Sequence, residues 1–213
     1  MHANLASETQ IPLTFNFLKE KYKEYRAPKD KISRLVTGGE IIRLKKGLYL
    51  PVSDKSGELQ TLALAANLIL GPSYVSLETA LSYYGMIPER VYSIRSVTTK
   101  RGKTFINPAG RFEYFSANNE YFSIGIKQVV CKGFSFLAAT PEKAICDMIV
   151  MTSCLKIQSV KAMREYIEED MRIDLDEIPL PDITIFDKVL KSGIKKREIR
   201  FLKEYWESRF PSD

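Results

Sequence analysis

Two adjacent glycines, Gly38 and Gly39, constrain the fold of this chain most, because they end a helical pattern and begin an extended one. Apolar residues at helical spacing come before them: Ile32, Leu35 and Val36. Pro28 stands where the first turn of that helix tolerates proline, and one of the glycines should provide a left-handed cap. After them, residues 41–50 form two short alternating runs around Lys46-Gly47, which predicts a tight hairpin.

An earlier amphipathic helix is predicted from Thr14 to about Glu24. On the helix that follows it, the apolar stripe leaves one polar face, with Lys31 on its flank. The residues on that face are Asp30, Ser33, Arg34 and Thr37. Two helices followed by a basic hairpin are typical of a winged helix-turn-helix, in which the second helix contacts base edges and the hairpin contacts phosphates.

A full winged helix usually has three helices before its hairpin, and the sequence leaves clear room for two after Pro12. The sequence therefore predicts an abbreviated form of this unit. The alternative is that the charges only solvate a small helix-hairpin unit, since basic faces are common on proteins.

Positive charge is concentrated in the same segment. Residues 19–46 contain ten basic and four acidic residues, which accounts for the whole net charge of +6, and the rest of the chain is balanced. A segment of this kind is expected to bind a polyanion.

The remainder of the chain predicts a second domain. The polar stretch VSDKSGE after Pro51 indicates a linker, so the expected domains are residues 1–52 and 57–213. A helix predicted from Glu58 to Leu70 is apolar nearly all round, which indicates burial in the second domain or between the two. Within Ser73–Gly85 a short helix is predicted, capped by Ser76 and ended by Gly85. Tyr74, Leu77 and Leu81 are expected in the core.

Five β-type runs follow, at residues 91–100, 103–106, 111–115, 124–131 and 134–138. They predict a mostly antiparallel sheet. Thr140 and Pro141 then begin a helix as cap and first residue, and the C-terminal part predicts further helices, the last from about Ile194 to Arg209. The predicted fold class is therefore α+β.

Composition excludes several function classes. The only histidine is His2, which removes histidine-based triads and ordinary zinc sites. Three cysteines without a CxxC pair indicate a reducing compartment with buried thiols. There is no apolar run of membrane-spanning length and no signal-peptide pattern, so the chain is expected to be cytoplasmic, without membrane contact. We predict no catalytic residue, metal or cofactor.

Two alternatives remain open. Asp174-Leu175-Asp176 could hold Mg²⁺ in a nucleotidyltransferase or nuclease, although no glycine-serine phosphate loop precedes it. The chain could also be a stand-alone transcriptional regulator whose second domain senses a ligand.

Four phrases in order resemble the AbiE-type antitoxins of bacterial abortive-infection systems: GGEIIRLKKGLYLP, PSYVSLETALSYYGMIPE, SVTTKRGKTF with GRFEYF, and ATPEKAICDMI. The resemblance covers roughly Pro28 to Ile149. It implies a winged N-terminal domain that binds operator repeats in its own promoter, and a C-terminal antitoxin domain. The antitoxin domain would neutralise a nucleotidyltransferase-like toxin, without requiring a stable complex.

Carried onto this sequence, the resemblance assigns double-stranded DNA contacts to one group of residues: Ser33, Arg34, Thr37, Arg43, Lys45 and Lys46. Lys31, on the flank of the same helix face, is predicted to contact DNA as well. Candidates for an antitoxin surface are Lys100, Arg101 and Lys103, which could equally be a solvated hairpin tip or a phosphate contact. The PEKA phrase is expected to be a helix start rather than a site. A second basic patch on the last helix could contact nucleic acid or simply solvate its face: Lys195, Lys196, Arg197, Arg200 and Lys203.

Overall fold

A computed structural model of the protein describes residues 10–89, 91–178 and 181–210. The predicted α+β class is confirmed, since helices and two β-sheets alternate through the described residues. The first element group consists of β1 (Leu13–Thr14), α1 (Phe15–Lys21), α2 (Pro28–Thr37), β2 (Ile41–Lys45) and β3 (Leu48–Pro51). We refer to these five elements as the N-terminal unit, and to β2 and β3 as its hairpin.

Local signals set the helices of the N-terminal unit. The Thr14 side chain accepts a hydrogen bond from the Phe17 amide and caps α1. Helix α2 begins at Pro28, and Gly39 after it takes the left-handed conformation with φ of 74°. The strands form a three-stranded antiparallel sheet in the order β1-β3-β2. A small core joins sheet and helices: Leu13, Leu18, Ile32, Leu35, Ile41 and Tyr49.

The rest of the chain surrounds a six-stranded mixed sheet. Its strands are β4 (Ser73–Val75), β5 (Ser93–Thr98), β6 (Lys103–Asn107), β7 (Gly110–Ser116), β8 (Ile126–Cys131) and β9 (Phe134–Ala139). The strand order is β6-β7-β5-β4-β9-β8. Three neighbouring pairs are antiparallel, whereas β5–β7 and β4–β9 are parallel. The sheet is therefore mostly antiparallel, with parallel pairings that the hairpin-like sequence runs did not reveal.

Helices cover both faces of this sheet. They are α3 (Leu59–Ile69), α4 (Leu77–Tyr83), α5 (Asn119–Phe122), α6 (Pro141–Met151), α7 (Val160–Glu165, continued by a π-helical turn, Tyr166–Asp170), α8 (Thr184–Lys191) and α9 (Lys196–Arg209). No helix in the described ranges is both long enough and apolar enough to cross a membrane.

The predicted helix start at Ser76 is confirmed, since α4 begins at Leu77 with Ser76 directly before it. The predicted runs did not include strand β4 at Ser73–Val75. Strand β4 lies between β5 and β9, and adjacent residues Tyr74 and Val75 face opposite hydrophobic clusters. Burial on both faces gives a strand a continuous apolar run, which cannot be distinguished from a short buried helix by periodicity.

Helix α3 explains how the N-terminal unit joins the second sheet. Leu50 of the hairpin shares one hydrophobic cluster with Ala66 of α3 and with Phe112 and Phe136 of the sheet. The nearly uniform apolar character of α3 follows, because the helix packs against the sheet on one side and the hairpin on another. The predicted burial of this helix is confirmed, and of the two expected places it lies between the hairpin and the second sheet. The other sheet face packs against α4, α6 and the C-terminal helices.

Candidate nucleic-acid interface

Helix α2 presents the polar face that its sequence predicts. Ile32 and Leu35 are buried, while Ser33, Arg34 and Thr37 are exposed. The Thr37 hydroxyl donates to the Ser33 carbonyl at 3.1 Å, so its orientation is set within the helix. The exposed Arg34 guanidinium offers a planar fork of donors that matches guanine or phosphate.

Lys31 lies on the flank of α2 and is half-buried. Its ammonium lies 5.9 Å from the ring centroid of Tyr22 and 5.7 Å from that of Tyr25. These cation-π contacts tie the loop after α1 to the start of α2. The charge of Lys31 is therefore held close to the segment that connects the two helices.

The hairpin separates its cations into two environments. Arg43 and Lys46 are exposed, whereas Lys45 is half-buried. A β-bulge causes the difference: Arg43 pairs with Tyr49, but Lys45 pairs with Leu48, so Leu44 is the extra residue on β2. Simple alternation would have placed Arg43 and Lys45 on the same face of the strand.

The ammonium group of the half-buried Lys45 side chain bonds to backbone carbonyls. Its Nζ donates to the Leu68 carbonyl at 2.9 Å and to the Ile69 carbonyl at 2.7 Å. Burial lowers the pKa of Lys45, and the nearby Lys100 ammonium adds to this lowering. Because two of its three donors are already bonded to these carbonyls, Lys45 is left out of the proposed DNA contacts.

The basic turn, residues 100–103, lies beside the hairpin. Lys100, Arg101 and Lys103 are all exposed, and Lys100 is close enough to Lys45 to affect its ionisation. The Asn107 side-chain amide donates to the Leu44 carbonyl at 3.1 Å, which links β6 to the bulge. Two groups of basic residues that the sequence predicts for separate roles are therefore neighbours.

The second basic patch, on α9 and on Lys195 just before it, is not one continuous surface. Lys195 donates to the carbonyls of Ile149 at 2.7 Å and Thr152 at 2.6 Å, and Lys203 pairs with Asp187 at 2.6 Å. Arg197 contacts Glu198 at 3.1 Å. Lys196 and Arg200 remain exposed and line a shallow concavity near α8.

Sequence reasoning missed a buried polar cluster centred on helix α6. The Lys143 ammonium lies 3.0 Å from Asp147, and both side chains are fully buried. The other Asp147 bonds, each 2.6 Å long, come from the hydroxyls of Ser76 and Tyr121. Burial is the main cause that lowers the pKa of Lys143, and Asp147 opposes it. The spacing of Lys143 and Asp147 by four residues was the available signal, because such pairs meet on one helix face.

The helix that carries this cluster, α6, also has the cap that the sequence predicts at its start. The Thr140 side chain accepts from the Lys143 amide at 3.3 Å, which confirms the predicted cap. The Lys143 ammonium also lies 3.0 Å from the centroid of the Tyr121 ring. The cluster is closed to solvent, so its chemistry is structural: it joins the end of β4, α5 and α6.

Asp174 and Asp176, the two carboxylates that could hold Mg²⁺ in an enzyme, are engaged in contacts within the protein. An Asp174 carboxylate oxygen accepts from the Asp176 amide at 3.0 Å, and Asp176 pairs with Arg209. Within the described residues, no group of three or more histidine, cysteine, aspartate or glutamate side chains has an arrangement that could hold a metal ion. Pro179, which follows this pair in the sequence, lies outside the described residues.

Comparison with known proteins found no family model and no curated protein that matches the chain.

Proposed function

We propose that this protein is an antitoxin that also represses its own operon, with the N-terminal unit acting as an abbreviated winged helix-turn-helix. The observation that carries the DNA-binding part is the strand order β1-β3-β2 with α1 and α2 preceding the hairpin. In this arrangement the second helix and the hairpin are held together by one small core. A helix and a hairpin fixed in this way suit the major groove and the flanking phosphates.

The proposed contacts divide by chemistry. Arg34, Ser33 and Thr37 on α2 would contact base edges, because short hydroxyls and a forked guanidinium discriminate between bases. Arg43 and Lys46 on the hairpin would neutralise phosphates, which supply most of the affinity and make it dependent on salt.

The antitoxin part rests on the four ordered phrases that resemble AbiE-type antitoxins. The proposed partner is a nucleotidyltransferase-like toxin, and protection need not involve a stable complex. Lys100, Arg101 and Lys103 stay candidates for the antitoxin surface. Because the basic turn lies beside the hairpin, substitutions there should be scored for both rescue and operator binding.

Two measurements test this proposal. Purified protein should retain its own upstream promoter more strongly than a random duplex, with an affinity that falls steeply with salt. Coexpression with the adjacent gene should rescue cells from growth arrest caused by that gene. Promoter retention no better than that of an inert globular control would refute the repressor role, and absence of rescue would refute the antitoxin role.

One observation favours a second candidate, a stand-alone regulator that senses a ligand. A cavity of about 360 Å³ lies between α4, the start of β5 and the π-helical turn, and its apolar wall includes Ile87, Val91 and Met171. Glu78 and Arg95 supply polar groups in the same cavity. This combination is common in small-molecule sites. Repression that responds to a metabolite, with no toxin gene beside this one, would support the regulator.

A further inference from the structure

Lys45 supplies a cation that helix α3 lacks. The α3 sequence, LQTLALAANLI, contains no lysine or arginine, and the last carbonyls of any helix have no partner within it. The Lys45 ammonium bonds two of these groups, the carbonyls of Leu68 and Ile69. A cation at this end is also favoured by the helix dipole.

The bulge directs Lys45 to this position. Because Leu44 is inserted into β2, its side chain is only 3% exposed and enters the cluster shared with α3 and the sheet. Lys45 then contacts the C-terminal end of α3, while Arg43 stays exposed on the strand before it. The Asn107 bond to the Leu44 carbonyl fixes the same bulge from the side of β6.

We infer that Lys45 is a positioning residue, which holds the hairpin against the second domain so that Arg43 and Lys46 meet DNA in one fixed orientation. This inference rests on the proposed DNA-binding function. Lys45 does not neutralise a phosphate itself. Operator affinity is therefore coupled to the second domain through the contact between Lys45 and α3.

Salt dependence separates a positioning role from a phosphate contact. Removing a phosphate contact reduces the log-log slope of affinity against salt by about 0.9, whereas misplacing the hairpin weakens affinity with little change in slope. Lys46→Met and Lys45→Met are matched variants, since they remove neighbouring ammonium groups and keep most of each side chain. Lys45→Arg retains a cation and should keep most of the affinity.

We expect Lys45→Met to weaken operator binding roughly three- to tenfold, a loss comparable to that of one well-oriented contact. Its slope should change less than half as much as that of Lys46→Met. Lys195→Met controls for stability, because Lys195 makes the equivalent bonds to the carbonyls of Ile149 and Thr152 at the end of α6. That variant should bind the operator as the wild-type protein does.

A slope reduced as much in Lys45→Met as in Lys46→Met would overturn the inference, and so would unchanged affinity in Lys45→Met. Hydrogen exchange provides a readout independent of DNA: amides of residues 43–50 should exchange faster in Lys45→Met than in Lys46→Met. If wild-type protein failed to select its operator, the DNA-binding proposal would fall. Equal exchange in the two variants would instead refute the contact with α3 as a constraint on the hairpin.

Discussion

Lys143 and Asp147 form an ion pair at 3.0 Å, one turn apart on helix α6, with no exposed surface on either side chain. Tyr121 bonds to both members of the pair: its hydroxyl donates to Asp147, and its backbone carbonyl accepts from Lys143 at 3.3 Å. A buried pair need not stabilise a fold more than apolar residues would, but removal of one partner leaves a charge without compensation.

Asp147→Asn should reduce the free energy of unfolding by about 3–5 kcal/mol at neutral pH, because Lys143 then stays buried without its counter-charge. The deficit should shrink as pH rises, since the neutral amine needs no partner. Denaturant unfolding at several pH values measures this. Lys161→Ala is the control, because Lys161 makes an exposed helical pair with Glu165 at 3.8 Å and its loss should be negligible. Equal effects of the two substitutions would contradict this account.

Gly125→Ala should destabilise the protein more than Gly133→Ala. Gly125 has φ of 61°, and an added Cβ would lie 2.7 Å from the Lys143 Cβ. Gly133 also has positive φ, but nothing lies within 4 Å of an added Cβ. Backbone strain of about 1–2 kcal/mol applies to both, and the clash adds roughly 1–3 kcal/mol at Gly125 alone. Thermal or denaturant unfolding of both variants would measure the difference, and equal losses would argue against the clash.

Alkaline pH should unfold the protein as buried tyrosines ionise. Burial is the first cause that raises the pKa of Tyr74, Tyr114 and Tyr121, and Asp147 raises it further for Tyr74 and Tyr121. A raised folded-state pKa gives stability that is complete below the unfolded value of about 10 and lost as pH rises above it. Lys143 and Lys45, whose pKa values are lowered by burial, oppose this trend because each binds its proton less tightly in the folded state.

The measurement is the ultraviolet absorbance of ionised tyrosine, recorded together with circular dichroism during an alkaline titration. These tyrosines should ionise only as secondary structure is lost. Tyr114→Phe should lose the bond to the Ala66 carbonyl, 2.7 Å long, yet show a shallower alkaline decline. Ionisation of all tyrosines before any unfolding would show that burial does not protect them.

Arg34→Ala should reduce discrimination between operator and random duplex by about 1–3 kcal/mol, if its guanidinium contacts a guanine. Affinity for random duplex should fall less, because that binding depends on phosphates. Competition titrations with both DNAs measure the ratio. Arg164→Ala removes an equally charged, exposed side chain from α7 and should leave both affinities unchanged. An equal loss on both DNAs would make Arg34 a phosphate contact.

Several local features of the fold could be predicted from the sequence. The helix start at Pro28, the cap at Thr140 and the turn at Lys46-Gly47 were predictable, because each depends on a few neighbouring residues. The concentration of cations in residues 19–46 was equally visible. Strand β4 was not predictable from the sequence. Its short apolar run is compatible with either a buried strand or a helix, and only its pairing with neighbouring strands decides between them.

The sequence alone therefore determined the local elements and the charge of the N-terminal unit. Only the tertiary structure decided which cations are available: the bulge at Leu44 turns Lys45 onto α3, and the pairing of β6 with β7 brings Lys100 beside the hairpin. The physical reason is distance along the chain. Lys45 meets carbonyls 23 and 24 residues away, and no local pattern of charge or hydrophobicity encodes such a contact.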